Sequence, residues 1–285
     1  MKKTLTSIAV IALAAGTVMI AAAWGLGARG AVSFGPSGLR VTRQGKEETL
    51  SQRGIEGVTS LDIAAVSADI EFIPAENFGF DIRTSAGEPK WSLENGKLSI
   101  EETHTAWAFH LEFPLFAPAA SDSGGSYVKV YYPMGESLDR LAVSAVSGDM
   151  DFPGLSGRVS ESSFSTVSGN ISVAALDTDA LSFASVSGNI EARDISARHT
   201  RLGSTSGSAA LAGFFGEFEA NTVSGDIAIA AQSDGTGSDY KIETVSGTIN
   251  VAGRRVDGIS AQSSAPGAGS SFYVKTVSGD ITIDW

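Results

Sequence analysis

Thr276-Val277-Ser278-Gly279-Asp280-Ile281 is the last of a series of near-copies that runs through most of the chain. Earlier copies are Val66-Ser67-Ala68-Asp69-Ile70, Val146-Ser147-Gly148-Asp149-Met150, Val167-Ser168-Gly169-Asn170-Ile171 and Val186-Ser187-Gly188-Asn189-Ile190. They are followed by Thr205-Ser206-Gly207-Ser208-Ala209, Val223-Ser224-Gly225-Asp226-Ile227 and Val245-Ser246-Gly247-Thr248-Ile249. From Gly148 to Gly247 the motif glycine returns at intervals of 21, 19, 19, 18 and 22 residues. A fixed period of this length marks a stacked-repeat protein, in which one repeat is one coil. The sequence therefore predicts an all-β fold: a β-solenoid of coils of about 19 residues.

Apolar residues keep fixed places within each copy. One lies three before the motif valine (Ile63, Val143, Phe164, Phe183, Leu202, Ala220, Ile242, Val274), and pairs such as Ile171 with Val173 lie four and six after it. Even spacing places residues on one face of a strand. Valine, the motif glycine and the isoleucine share parity, so the expectation is that Gly148, Gly169, Gly188, Gly207, Gly225, Gly247 and Gly279 face inward. The upstream apolar positions have the opposite parity, which predicts a bulge or corner just before the motif. Ser-Gly puts glycine second, which suits a type II turn, whereas two-residue hairpins favour Asn-Gly or glycine first. The motif is read as a solenoid corner. Stacked at the usual strand spacing, seven coils from Gly148 to Gly279 make a rod section of about 34 Å.

Composition narrows the function. The chain has 285 residues, 33 of them glycine, and no cysteine. Disulfides, thiolate metal sites and cysteine nucleophiles are excluded. The net charge of −12 argues against nucleic acid, whose binding needs lysine and arginine to displace counterions, and against anionic lipid surfaces.

Met1-Lys2-Lys3 precedes an apolar run from Leu5 to about Leu26, long enough to cross a hydrocarbon core. Residues 1–26 are read as a transmembrane anchor, with the amino end in the cytoplasm; Ala21-Ala22-Ala23 offers the rival reading of a cleaved signal peptide and a secreted protein. Residues 27–57 read as a linker and 58–285 as the β-repeat domain, with an irregular amino-terminal β cap over 58–140 and regular coils over 141–285. Trp91–Ile100, with Asn95-Gly96 at its centre, is the strongest local hairpin signal, and Val128–Tyr132, ended by Pro133, reads as a strand. Ser263–Ser270 is expected to bulge as a loop. The last strand is expected to be an open edge, with Trp285 covering the end of the core.

Asp69, Asp149, Asn170, Asn189, Asp226 and Asp280 share one motif position, so stacking aligns them along one edge. Such a row serves as a structural ladder. Its alternative use is to bind calcium, with Asp149, Asp226 and Asp280 the metal candidates; Ser208 and Thr248 interrupt the row. His104 and His110, on either side of Trp107, read as surface or loop histidines, since a two-histidine metal site would need further ligands that no local carboxylate spacing supplies; Trp107, Phe109, Phe113 and Phe116 read as cap core or, alternatively, a sugar-stacking or protein-binding patch. Phe214, Phe215 and Phe218 read as core. No cofactor is called for; nucleophilic catalysis needs a serine with a positioned base, and the serines here belong to turns repeated along the rod, where a catalytic site is not expected. The chain is read as not an enzyme. Polysaccharide chemistry through Asp149 and Asp226 is the third-ranked possibility.

Serial Val-Ser-Gly-Asp/Asn-Ile units behind one amino-terminal apolar segment resemble the bacterial putative-adhesin family of β-strand repeat proteins, a domain of unknown function. Gly57-Val58-Thr59-Ser60-Leu61-Asp62-Ile63 and Tyr132–Leu141 are also similar to that family. Ala68 and Ser206-Gly207-Ser208-Ala209 depart from its pattern. The resemblance implies a membrane-associated, surface-facing β domain and supplies no catalytic residues. The leading expectation is a membrane-anchored cell-envelope scaffold that binds a protein or glycan; the alternative is the extracytoplasmic module of an envelope-stress system.

Overall fold

The computed structural model describes residues 31–33, 48–84, 88–103, 108–110, 125–154, 157–232, 238–256, 258–264 and 269–285. The apolar segment 5–26, His104 and Trp107, Phe113 and Phe116, and the centre of the 263–270 loop lie outside these residues, as do the side chains of Phe109 and His110. The described residues are built from strands: β1 (Ala31–Ser33), β2 (Glu48–Ile55), β3 (Ser60–Ala65), β4 (Asp69–Ala75), β5 (Phe78–Thr84), β6 (Glu88–Glu94), β7 (Lys97–Thr103), β8 (Ala108–His110) and β9 (Tyr127–Pro133). Then come β10 (Leu138–Ser147), β11 (Met150–Phe152), β12 (Arg158–Ser168), β13 (Ile171–Ser187), β14 (Ile190–Ser206), β15 (Ala209–Ser224) and β16 (Ile227–Ala231). The chain finishes with β17 (Ser238–Glu243), β18 (Ile249–Val251), β19 (Arg254–Val256), β20 (Ser260–Ser263), β21 (Ser270–Lys275) and β22 (Ile281–Asp284). All but the β1–β8 pair belong to one open sheet wound into coils.

β13 shows how a coil turns. Its buried positions run Ile171, Val173, then Leu176, Thr178, then Leu181, Phe183, Ser185. Each jump of three shifts the pleat by one, dividing the coil into three flat runs. Ala175, at the first bend, has φ +47°. β14 repeats the pattern, but β15 closes its coil with one residue fewer, so a register shift falls between Ala192 and Ile195.

The eight apolar residues that precede the motif valines form one row across the sheet. In spatial order they are Ile63, Val143, Phe164, Phe183, Leu202, Ala220, Val274 and Ile242, all parallel and in register, and all buried. Rings stack through the interior: Phe152 with Phe164 at 5.8 Å and Phe164 with Phe183 at 5.7 Å. Each such side chain contributes about 1.5–3 kcal/mol by leaving water, which no single coil could collect alone.

The spatial order differs from the chain order at the carboxyl end. β21 lies between β15 and β17, and β22 between β16 and β18. The last strand is therefore an interior strand, contrary to the expectation of an open edge. After the Gly225 coil the chain lays down the outermost coil, returns through antiparallel β19 and β20, and fills the gap with its final residues. Trp285 sits against Tyr240 and Phe272 (5.6 and 5.9 Å) and remains 41% exposed. The outer edge is the short β19, carrying Arg254 and Arg255, and β20; short, charged edges resist further pairing.

The other end is built in the same manner. β7 adds in parallel to β3, and β9 to β4. β6 then pairs antiparallel with β7 through the expected hairpin, whose Asn95 and Gly96 have φ +51° and +79°, as a type I′ turn requires. β5 pairs with β9, and β2 with β5, so residues 48–55, read from sequence as linker, belong to the sheet. Arg53 clasps β2 in place: its guanidinium bonds Asp81 at 3.0 and 2.6 Å and covers the Tyr131 ring at 3.6 Å. Partial burial pushes the Asp81 carboxyl up, but hydrogen bonds from Arg53, Ser51 and Tyr131 hold it below its usual range.

Two inward assignments are corrected. The motif valine is half-exposed in most copies, and the buried corner residue is the one before it: Ala65, Ala145, Thr166, Ser185, Ser204, Thr222, Thr244 or Thr276. The motif glycine points along the rod. A Cβ on Gly188 would overlap the Gly169 carbonyl, and one on Gly169 would overlap that of Gly148. The seven glycines have φ between +112° and +153°, a region closed to other residues. The pleat shift that the sequence placed before the motif falls within it.

Ala68 needs no such space, because the chain beyond it is not a Ser-Gly corner. There Glu102, 2% exposed, reaches in from β7. Its Oε2 accepts the backbone N–H groups of Val66, Ser67 and Ala68 at 2.8, 2.9 and 3.1 Å. Its Oε1 accepts the Thr84 hydroxyl at 2.6 Å. One carboxylate thus satisfies the last corner of the stack.

Candidate binding face

The third run of each coil, just before the motif, presents its alternate residues to solvent, and register aligns them in rows across the strands. One row reads Arg140, Glu161, Ala180, His199, Glu217, Ser271, Asp239. The next reads Ala142, Ser163, Ser182, Arg201, Glu219, Tyr273, Lys241. Small side chains occupy the amino-terminal half of the second row; charged and aromatic ones occupy the other half.

Over β14, β15, β21, β17 and β20 this face is hollowed into an open groove of about 740 Å³. Ser271 lies between Glu217 and Asp239, and its short side chain leaves the depression. At strand spacing the five strands span about 19 Å. A smaller hollow of about 230 Å³ continues toward β10, between the Arg140–Glu161 pair and Arg201.

Each basic side chain of the groove has an acidic neighbour. His199 Nδ1 and Glu217 are 2.9 Å apart, Arg201 and Glu219 3.8 Å, and Lys241 and Glu243 3.2 Å. Glu243 also meets Lys275 at 3.3 Å. Partial burial pushes the Glu243 carboxyl up, yet its hydrogen bonds with the two lysines hold it below the usual range, and Lys241 is raised in turn. Exposed pairs of this kind contribute about 0–1 kcal/mol, so a ligand can re-partner them at little cost.

The aligned Asp/Asn row is a corner ladder. Asp149 N–H donates to Asp69 Oδ1 (2.9 Å), Asn170 N–H to Asp149 Oδ1 (2.7 Å), Asn189 N–H to Asn170 Oδ1 (3.1 Å) and Ser208 N–H to Asn189 Oδ1 (3.0 Å). At the far end Asp280 N–H donates to Asp226 Oδ1 (2.8 Å), and Thr248 N–H to Asp280 Oδ1 (2.6 Å). The calcium candidates Asp149, Asp226 and Asp280 each spend an oxygen on this ladder. Among the described residues no group of three or more acidic or histidine side chains could hold a metal ion. Asn189→Ala should cost about 1 kcal/mol by orphaning the Ser208 N–H, while Asn189→Asp, which keeps the acceptor, should be nearly silent in urea unfolding.

The sequence pointed to the corner row and missed the groove, because the groove needs strands that are remote in the chain: β20, β21 and β14 meet only through the inverted order of the last coils. Phe215 and Phe218 are core as expected, and Phe214 lies half-exposed on the outside.

Residues 58–273 match the family model described as Toastrack DUF4097. The chain belongs to this family. Solved structures similar to this Toastrack chain include a putative adhesin from Parabacteroides distasonis (11% identity, 89% of this chain, 100% of the other, TM-score 0.43). Others are a putative adhesin from Bacteroides fragilis (12%, 86%, 100%, 0.37) and a putative lipid binding protein from Parabacteroides distasonis (16%, 89%, 99%, 0.38). No curated protein matches the Toastrack chain.

Proposed function

We propose that the chain is a non-catalytic binding scaffold, held at the cell envelope by its amino-terminal apolar segment with the Toastrack domain outside. The observation that carries this reading is the groove of about 740 Å³ laid across five in-register strands. It is a rigid, repetitive polar surface, and the acidic residues that sequence offered for chemistry, Asp149 and Asp226, are acceptors in the corner ladder instead. The apolar run from Leu5 to Leu26 is the length a membrane span needs.

The test is to produce the full chain in a bacterial host, label whole cells, fractionate them and sequence the amino terminus. The expected result is an intact amino terminus in the membrane fraction, labelling of the repeats from outside, and adhesion of these cells to other cells or surface polymers above that of empty-vector cells. A domain reached only after lysis, or adhesion equal to the empty-vector control across a broad cell and polymer panel, would overturn the reading.

A further inference from the structure

We propose that the groove over β14, β15, β21, β17 and β20 holds a neutral linear glycan, an assignment that rests on the scaffold reading above. Main-chain chemistry leaves little room for the simplest peptide mode. β14, β15, β21 and β17 are each paired on both sides, so across four of the five strands the groove floor offers no edge to which an extended peptide could add; β20, paired with β17 among the described residues, forms the rim. A ligand lying across the floor meets side chains.

Those side chains do not favour an anionic partner. His199 faces Glu217, Arg201 faces Glu219, and Lys241 faces Glu243, while the whole chain carries −12. A phosphate-rich or anionic ligand would find no uncompensated positive field. What the groove does offer is a set of planar, two-pronged groups: the carboxylates of Glu217, Glu219 and Asp239 and the carboxamide of Gln262. Each carboxylate can accept from two neighbouring hydroxyls, and the carboxamide both donates and accepts. Adjacent hydroxyls on a sugar ring are the matching pattern. Tyr273, half-buried in the second row, adds an aromatic body with a polar tip, able to pack against the C–H face of a pyranose. The strand repeat is close to the length of one sugar, so successive strands meet successive residues of a glycan running across them.

The experiment titrates the full chain in detergent micelles with cellohexaose, chitohexaose and maltohexaose by calorimetry, at low and high sodium chloride. At least one should bind, with affinity insensitive to salt. Glu219→Ala and Tyr273→Ala should each weaken binding about tenfold or more, with unfolding curves unchanged for the exposed Glu219→Ala. Asp151→Ala, outward on another run of the coil, should leave binding unaltered. Salt-suppressed binding, or binding indifferent to both groove substitutions, overturns the proposal. If no hexasaccharide binds while whole cells still adhere, the groove assignment fails and the scaffold reading stands; if adhesion is also absent, both fall.

Discussion

Gly188→Ala should destabilise the domain by about 3 kcal/mol or more, combining a glycine-only backbone conformation with overpacking. At φ +153° the new methyl meets the Gly169 carbonyl in the preceding coil. Main chain cannot rotate away as a flexible side chain can, so the two coils must part. In a stack held by nearest-neighbour contacts, parting one interface separates the Ile63–Phe164 side of the core from the Phe183–Ile242 side. Gly203→Ala is the control. Its Cβ would meet nothing within 4 Å, so its unfolding free energy in urea should stay within about 0.5 kcal/mol of the parent's. Equal effects of the two substitutions would refute the assignment of the motif glycine to close coil-to-coil approach.

Glu102→Gln should cost about 2–3 kcal/mol, the scale of lost charge-assisted hydrogen bonds in a buried site. The amide retains one acceptor oxygen and turns an N–H₂ toward donors already present, three backbone N–H groups and the Thr84 hydroxyl. The same site sets a pH dependence. Burial raises the Glu102 carboxyl, but the Thr84 hydroxyl and the Ser67, Val66 and Ala68 amides together bring it below its ordinary value of 4.5. A carboxyl that ionises more readily folded than unfolded stabilises the fold while ionised. Its contribution is complete above the unfolded-state value and disappears as pH falls through the lower folded-state value. Urea midpoints of the parent should therefore fall on acidification below pH 4.5, and the gap between parent and Glu102→Gln should narrow over that interval. A gap constant with pH would show that Glu102 does not act through its charge.

The difference between these two sites marks how far sequence could reach. Seven Ser-Gly copies announce the motif glycine, and their spacing aligns Phe164 with Phe183 and Leu202 without any coordinates, because residues at equal offset in a stacked repeat share one row. Asn95-Gly96 gives its hairpin by turn chemistry alone. Glu102 carries no comparable signal: it is one of two adjacent glutamates, Glu101 and Glu102, at the end of an alternating strand, and nothing marks it as a cap until β7 is laid beside β3. The inward valine was misplaced for a related reason. Parity counts assume an unbroken pleat, and the corner spends its phase shift between the buried residue before the valine and the isoleucine after it.

The sequence by itself determined that this protein is all-β, that it winds into coils of about 19 residues, which apolar residues form the rows before and after the corner, and that a Ser-Gly corner recurs from coil to coil. These follow from local periodicity and from the steric demands of single residues. Tertiary structure alone decided the order of the last coils, the Glu102 cap, the antiparallel ends and the groove. Every copy of the repeat presents nearly the same edge, so the sequence states what can stack on what. Which neighbour is chosen depends on hairpins, chain length and the burial of remote side chains, and these act only once the chain has folded.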